Sequence, residues 1–235
     1  MSDENDKLAS STKNLLVKKV RFGASALHER VAKKQEVQTK REALSHQQVV
    51  ALPNRIGIML DCSGSMAGEK IQMARLAAEA FLSNCNPSDT GVAINTFEPT
   101  FRINMTNIYS YAQSEVRMMN ITGGTPMAEA MLDMIQSDPI TRAVLVSDGE
   151  ATGADPLDVA RTYAEAKIPI DCVHIGDSDQ GEETLKKIAK MTGGIYVKFE
   201  KVDNFAQNFK YLTPRYRAML NSAGAAQLIG ATEVI

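Results

Sequence analysis

The sequence predicts an α/β fold: a mostly parallel sheet of about six strands, one of them antiparallel at an edge, with helices on both faces. Three observations point there. Residues 55–60, 142–147 and 168–175 are largely apolar without alternation, as strands buried on both faces in a parallel sheet are. Between them lie segments with apolar residues at helical spacing, so strand and helix alternate along the chain. The short Glu98-Pro99 connection suits a hairpin, which makes the strand after it antiparallel.

Taken in order, residues 1–53 stand apart. The first fifty carry ten Lys or Arg against six acids, whereas the whole chain has a net charge of −2. Helical composition from Ala24 to Gln48 lacks a continuous apolar stripe, so a basic, partly helical extension is expected. Pro53-Asn54 opens the core, and the strand from Arg55 follows. Apolar positions from Ile71 to Leu82 mark a helix over Glu69–Asn84, then a strand over Gly91–Phe97 and the antiparallel one over Phe101–Met105. A polar helix over Ile108–Met118 precedes a glycine-rich loop, and Pro126 suits the first turn of a helix through Ile135. Arg142–Ser147 is a strand; Asp155-Pro156 caps and starts a helix to Ala166. Ile168–Ile175 and Ile195–Phe199 are the remaining strands, around a helix over Glu182–Met191, and Asp203 opens a last helix to about Tyr211. The core domain is therefore 54–213, and 214–235 is an apolar tail.

Composition narrows the class. With 235 residues, 44% apolar and 23% charged, the chain reads as an ordinary globular protein with one substantial domain. No apolar run approaches the ~20 residues that span a bilayer, and the acidic N-terminus lacks the regions of a secretory signal. Cys62, Cys85 and Cys172 show no paired metal spacing and read as reduced thiols, with Cys62 turned into the core. A cytoplasmic protein without a membrane segment is the expectation.

The residues that carry chemistry lie on three loops. Ile-Gly-Ile-Met-Leu runs straight into Asp61, after which Ser63 and Ser65 flank Gly64 on a tight strand-to-helix turn. The carboxyl ends of strands are where open α/β sheets bind ligands. One carboxylate and two hydroxyls form an all-oxygen set suited to a hard cation such as magnesium. This stretch resembles the Asp-x-Ser-x-Ser signature of von Willebrand factor A (VWA) domains. Gly123-Gly124-Thr125-Pro126 is similar to that family's second metal loop, and Val144-Leu-Val-Ser-Asp148-Gly149 to its third.

The resemblance, over roughly residues 54 to 213, implies a Rossmann-like fold and a metal-ion-dependent adhesion site (MIDAS). In that arrangement Ser63, Ser65 and Thr125 bind Mg²⁺ or Mn²⁺ through hydroxyls, and Asp61 and Asp148 bind directly or through water. Each residue alone has a plainer role, as a helix cap or a loop-ordering aspartate. The set together favours the metal. Glu150 and Thr152 are read either as outer support for the site or as loop residues. His174 is read as a packed, hydrogen-bonded histidine, and Asp171, Asp177 and Asp179 as solvated surface. The methionines, Met118 among them, are read as fillers of core and loop gaps.

Function follows from the resemblance: an adaptor, not an enzyme, binding an Asp or Glu of a partner protein through the metal. Cytoplasmic relatives of this kind suggest an AAA-type ATPase or another assembly subunit as partner. Self-association through the same site is a further route. Two rivals remain at this stage. Nucleic acid could bind the basic arm, although no aromatics are interleaved with its charges. A metal-dependent hydrolase would need a general base, for which only Glu150 offers itself.

Overall fold

A computed structural model of the protein describes residues 48–98, 101–121, 123–199 and 233–234. These residues belong to one compact unit that begins at Gln48. The basic arm up to residue 47, the helix expected over 203–211 and most of the tail lie outside the described residues. The expected boundary at residue 54 falls inside the compact unit: Val49, on a helical turn over 48–50, is buried in the core beside Met105.

Among the described residues seven strands form one sheet: β1 (Asn54–Leu60), β2 (Thr90–Thr96), β3 (Arg102–Thr106), β4 (Arg142–Ser147), β5 (Ile170–Ile175), β6 (Tyr196–Phe199) and β7 (Glu233–Val234). Their order is β3-β2-β1-β4-β5-β6-β7. The first six give the expected mostly parallel sheet, with β3 antiparallel to β2 at one edge. The two-residue β7, from the segment read as an apolar tail, pairs antiparallel with β6 and adds a second such edge.

The helices are α1 (Glu69–Asn84), α2 (Tyr109–Met118), α3 (Met127–Ser137), α4 (Pro156–Glu165) and α5 (Asp179–Thr192). Alternate residues of each central strand feed two separate cores. Ile56, Ile58, Leu60, Val144 and Val146 pack with Ala74, Phe81 and Val116 of α1 and α2. Met59, Leu145 and Cys172 pack with Met131, Tyr163 and Leu185 of α3, α4 and α5. Both faces are covered, which is why the runs do not alternate. Each such buried aliphatic side chain contributes roughly 1.5–3 kcal/mol.

Three local expectations change. Helix α5 starts at Asp179, three residues early, because Ser178 caps it by accepting the Gly181 N–H. Met118 is 74% exposed and fills no gap, since it lies on the outer face of α2 while Ala112 and Val116 face inward. Asp171 is buried, not solvated: Arg142 Nη1 lies 3.2 and 3.4 Å from its two oxygens, and the Ile195 N–H donates to it at 3.0 Å.

Candidate metal centre

Strand β1 lies between β2 and β4, so the chain leaves its end on one side and returns on the other. The carboxyl ends of β1 and β4 form the switch point where such sheets open a crevice. The backbone N–H of Asp61 donates to the Val146 carbonyl at 2.9 Å, extending the β1–β4 ladder beyond Leu60. Asp61 therefore starts from a rigid backbone. Its Oδ1 accepts the Ser63 N–H at 2.9 Å, and its Oδ2 accepts the Ser147 hydroxyl at 2.6 Å. The turn at Gly64–Met66 is anchored by Met66, which is fully buried in the core under α1.

That turn brings Ser63 Oγ and Ser65 Oγ within 3.0 Å of each other, Ser63 buried and Ser65 exposed. Ser65 shares an open cleft of about 440 Å³ with Gly64, Gly123, Thr125, Glu150 and Thr152. The Thr125 loop is fixed from both sides. Thr125 N–H donates to Thr152 Oγ1 at 3.1 Å, and the Thr152 N–H donates to the Thr125 carbonyl at 2.9 Å. On the other flank the Glu98 carboxylate accepts the Gly124 N–H at 3.0 Å.

Asp148 follows β4 and is 1% exposed. Lys70 Nζ donates to its Oδ2 at 3.0 Å, and the Glu150 N–H reaches Oδ1 at 3.4 Å. Its loop is pressed against the start of α5. Gly149 has φ +83°, and a Cβ there would stand 2.4 Å from Gly181 Cα. A Cβ on Gly181 would stand 2.0 Å from the Asp148 carbonyl oxygen. Neither position admits a side chain.

Ser65 and Thr125 thus share one cleft, and Asp61 and Asp148, at the ends of β1 and β4, lie near enough for the charge of one to act on the other. The sequence model of the von Willebrand factor type A domain matches residues 56–213. The chain belongs to this family. Inter-alpha-trypsin inhibitor heavy chain H4 of Bos taurus is 26% identical over 167 residues, 61% of this chain and 18% of that protein, so the chain spans less than a fifth of it. Among solved structures, the von Willebrand domain of the type V pilus tip protein Mfa5 from Porphyromonas gingivalis superposes with a TM-score of 0.60 at 12% identity. The match covers 73% of this chain and 97% of that one. The hypothetical protein BatB from Bacteroides thetaiotaomicron gives a TM-score of 0.59 at 18% identity, over 72% of this chain and all of that one. At these identities the likeness is one of fold.

The donor chemistry of this VWA domain fits a hard divalent cation. Adjacent ligands of an octahedral Mg²⁺ at ~2.0–2.1 Å lie about 2.9 Å apart. The Ser63–Ser65 hydroxyl separation is 3.0 Å, so the two oxygens can form one edge of such an octahedron without moving. Among the described residues no three His, Cys, Asp or Glu side chains cluster in a way that could hold a metal. Burial pushes the Asp61 carboxyl above its usual range; hydrogen bonds from Ser147 and Ser63 oppose this, and the charge of Asp148 adds to it. A divalent cation held by these residues would favour the ionised carboxylate.

Of the residues weighed from the sequence, Glu150 and Thr152 both line the cleft, and Thr152 holds the Thr125 loop. His174 is buried, its Nδ1 paired with Tyr196 Oη at 2.8 Å. Cys62 is a buried thiol outside any disulfide, and burial pushes it up to about 12. Sequence reasoning missed Ser147, Lys70, Glu98 and Gly181. Ser147 left one signal, a hydroxyl ending an otherwise apolar run; the others depend on contacts between distant segments.

Proposed function

We propose that this VWA domain is a metal-dependent recognition module that takes an Asp or Glu side chain of a partner protein. The observation that carries it is the Ser63–Ser65 hydroxyl pair, 3.0 Å apart beside an open cleft and next to two buried carboxylates. When bound, Mg²⁺ or Mn²⁺ would supply an electrophilic position at which a partner's carboxylate replaces a water. The chain's own residues prepare that position. Ser147 and the Ser63 N–H orient Asp61 so that both of its oxygens are fixed before any ligand arrives. Thr152 and Glu98 hold the Thr125 loop against the cleft. Ser65 and Thr125 are both on the cleft wall, within reach of a side chain offered by a folded partner. A subunit of a cytoplasmic multiprotein assembly, an AAA-type ATPase among them, is the class of partner this reading favours.

Calorimetry of the full chain with Mg²⁺ tests the reading. Asp61→Ala is expected to abolish the binding heat while cooperative unfolding persists. The substitution leaves the Ser63 N–H and Ser147 hydroxyl without their acceptor, about 1–3 kcal/mol, partly offset by removal of a buried charge. Unchanged Mg²⁺ binding in this variant refutes the assignment.

A further inference from the structure

We infer that Lys70 sets the charge of the metal site, weakening its hold on the cation and strengthening its hold on an anionic ligand. The inference rests on the reading above and concerns what tunes that site. Lys70 is the second residue of α1. A cation in the first turn of a helix is disfavoured by the macrodipole, by roughly 0.3–1 kcal/mol. Its placement therefore has another cause, and the contact at 3.0 Å between its Nζ and Asp148 Oδ2 supplies one. The berth is specific. At Gly176, just past β5, a Cβ would stand 3.2 Å from Lys70 Cε and 3.4 Å from Nζ, and φ there is +115°. The ammonium is thus held between the start of α1, the end of β4 and the end of β5, with the aspartate 1% exposed and the lysine 33%.

The charge count gives the consequence. Asp61 and Asp148 carry two negative charges, Lys70 one positive, and the three hydroxyls none. A divalent cation joining Asp61 and Asp148 alone would leave the site neutral; with Lys70 in place the loaded site is net positive. Lys70 repels the cation through space and occupies an oxygen of Asp148, so metal affinity falls. The same excess charge attracts an incoming carboxylate. One residue acting through Asp148 therefore moves the two affinities in opposite directions, which a merely structural lysine does not do.

The test uses the full chain and Mn²⁺, followed by water-proton relaxation, with acetate as the probe for the carboxylate. Lys70→Gln keeps a donor for Asp148 without charge, Lys70→Met removes both, and Lys70→Arg keeps the charge. Both neutral variants are expected to bind Mn²⁺ at least about threefold tighter than the parent. They should also need at least about threefold more acetate to displace Mn²⁺-bound water. Lys70→Arg should follow the parent in both titrations. If the parent binds Mn²⁺ and Lys70→Gln binds it equally or more weakly, or responds equally to acetate, the inference is overturned while the metal reading stands. If the parent itself binds no Mn²⁺, both fall.

Discussion

The two ends of β4 hold buried carboxylates under opposite terms. At its start, Arg142 pairs with Asp171 on β5, and the Ile195 N–H takes the same carboxylate. At its finish, Asp148 and Asp61 lie close enough for one charge to disturb the other, with one lysine and a set of hydroxyls around them. Burial pushes both Asp61 and Asp171 upward. The difference lies in what offsets burial. At the start of β4 a guanidinium from the chain itself meets the carboxylate directly. At the finish two carboxylates share a single ammonium, and their other bonds come from the Ser147 hydroxyl and the Ser63 and Glu150 N–H groups. A buried carboxylate with its own cation is architecture; an excess of carboxylate beside hydroxyls is the feature on which the proposed cation site rests.

The comparison breaks most visibly at Arg142. Arg142→Ala takes the Arg142 charge away from the buried Asp171 carboxylate, which is expected to cost about 3–5 kcal/mol of stability near pH 7.5. Mg²⁺ affinity at the other end of the strand should not change. The pH dependence follows from the sign of the shift. Burial holds Asp171 at about 6 even with Arg142 beside it, against an ordinary 3.8. A carboxyl raised in the fold contributes most below its unfolded value, and that contribution is lost as pH rises through the folded one. Without Arg142 the folded value rises further, so the deficit should shrink on acidification from pH 7.5 to 5. Chemical denaturation at the two pH values checks this; an equal deficit at both would show that the charge is not its cause.

Gly181 comes next and bears on the finish of β4. Gly181→Ala drives a Cβ into the Asp148 carbonyl, so the loop or the start of α5 must shift. Overpacking of this kind costs about 1–3 kcal/mol. Because the displaced backbone carries Asp148, metal affinity should fall with stability, unlike the Arg142 variant. Thermal unfolding and Mg²⁺ calorimetry on one preparation distinguish the two patterns.

What could be read from the chain, and what could not, divides along the same line. Helix α1 and strand β4 appear at their expected residues because their apolar spacing is strong and local. The five residues expected to bind a metal stand out in the sequence because each lies next to a strand end or a turn glycine. Asp171 was misjudged because a polar residue in a strand looks solvated until Arg142, far away in sequence, is seen beside it. Helix α5 begins three residues before the expected Glu182, and Gly181 within its first turn is glycine because Asp148 and Gly149 press on it. Lys70 gives no local signal at all: its partner lies 78 positions away. Periodicity reports burial well, whereas charge compensation is a property of distant pairs.

The smallest expected effect sharpens the comparison at the finish of β4. Glu98 stands beside the cleft and touches none of the five donor side chains in any hydrogen bond it makes; its carboxylate accepts the Gly124 N–H at 3.0 Å. Its half-buried position lowers the value of that charge-assisted bond toward about 1 kcal/mol. Glu98→Ala should therefore leave global stability within about 0.5 kcal/mol, since loop bonds at the surface open without unfolding the core. The Thr125 loop would keep its two bonds to Thr152 and lose its hold on the other flank. Ordering that loop then falls to metal binding itself, so Mg²⁺ affinity should drop by up to about tenfold, the equivalent of ~1.4 kcal/mol. Glu98→Gln, which retains an oxygen acceptor, should recover most of it. Hydrogen exchange at Gly124 and Thr125 reads the loop directly: faster exchange without metal and parent-like protection with it is the expected pattern. If Glu98→Ala leaves both exchange and affinity unchanged, Thr152 alone positions Thr125, and the carboxylate is only a neighbour of the site.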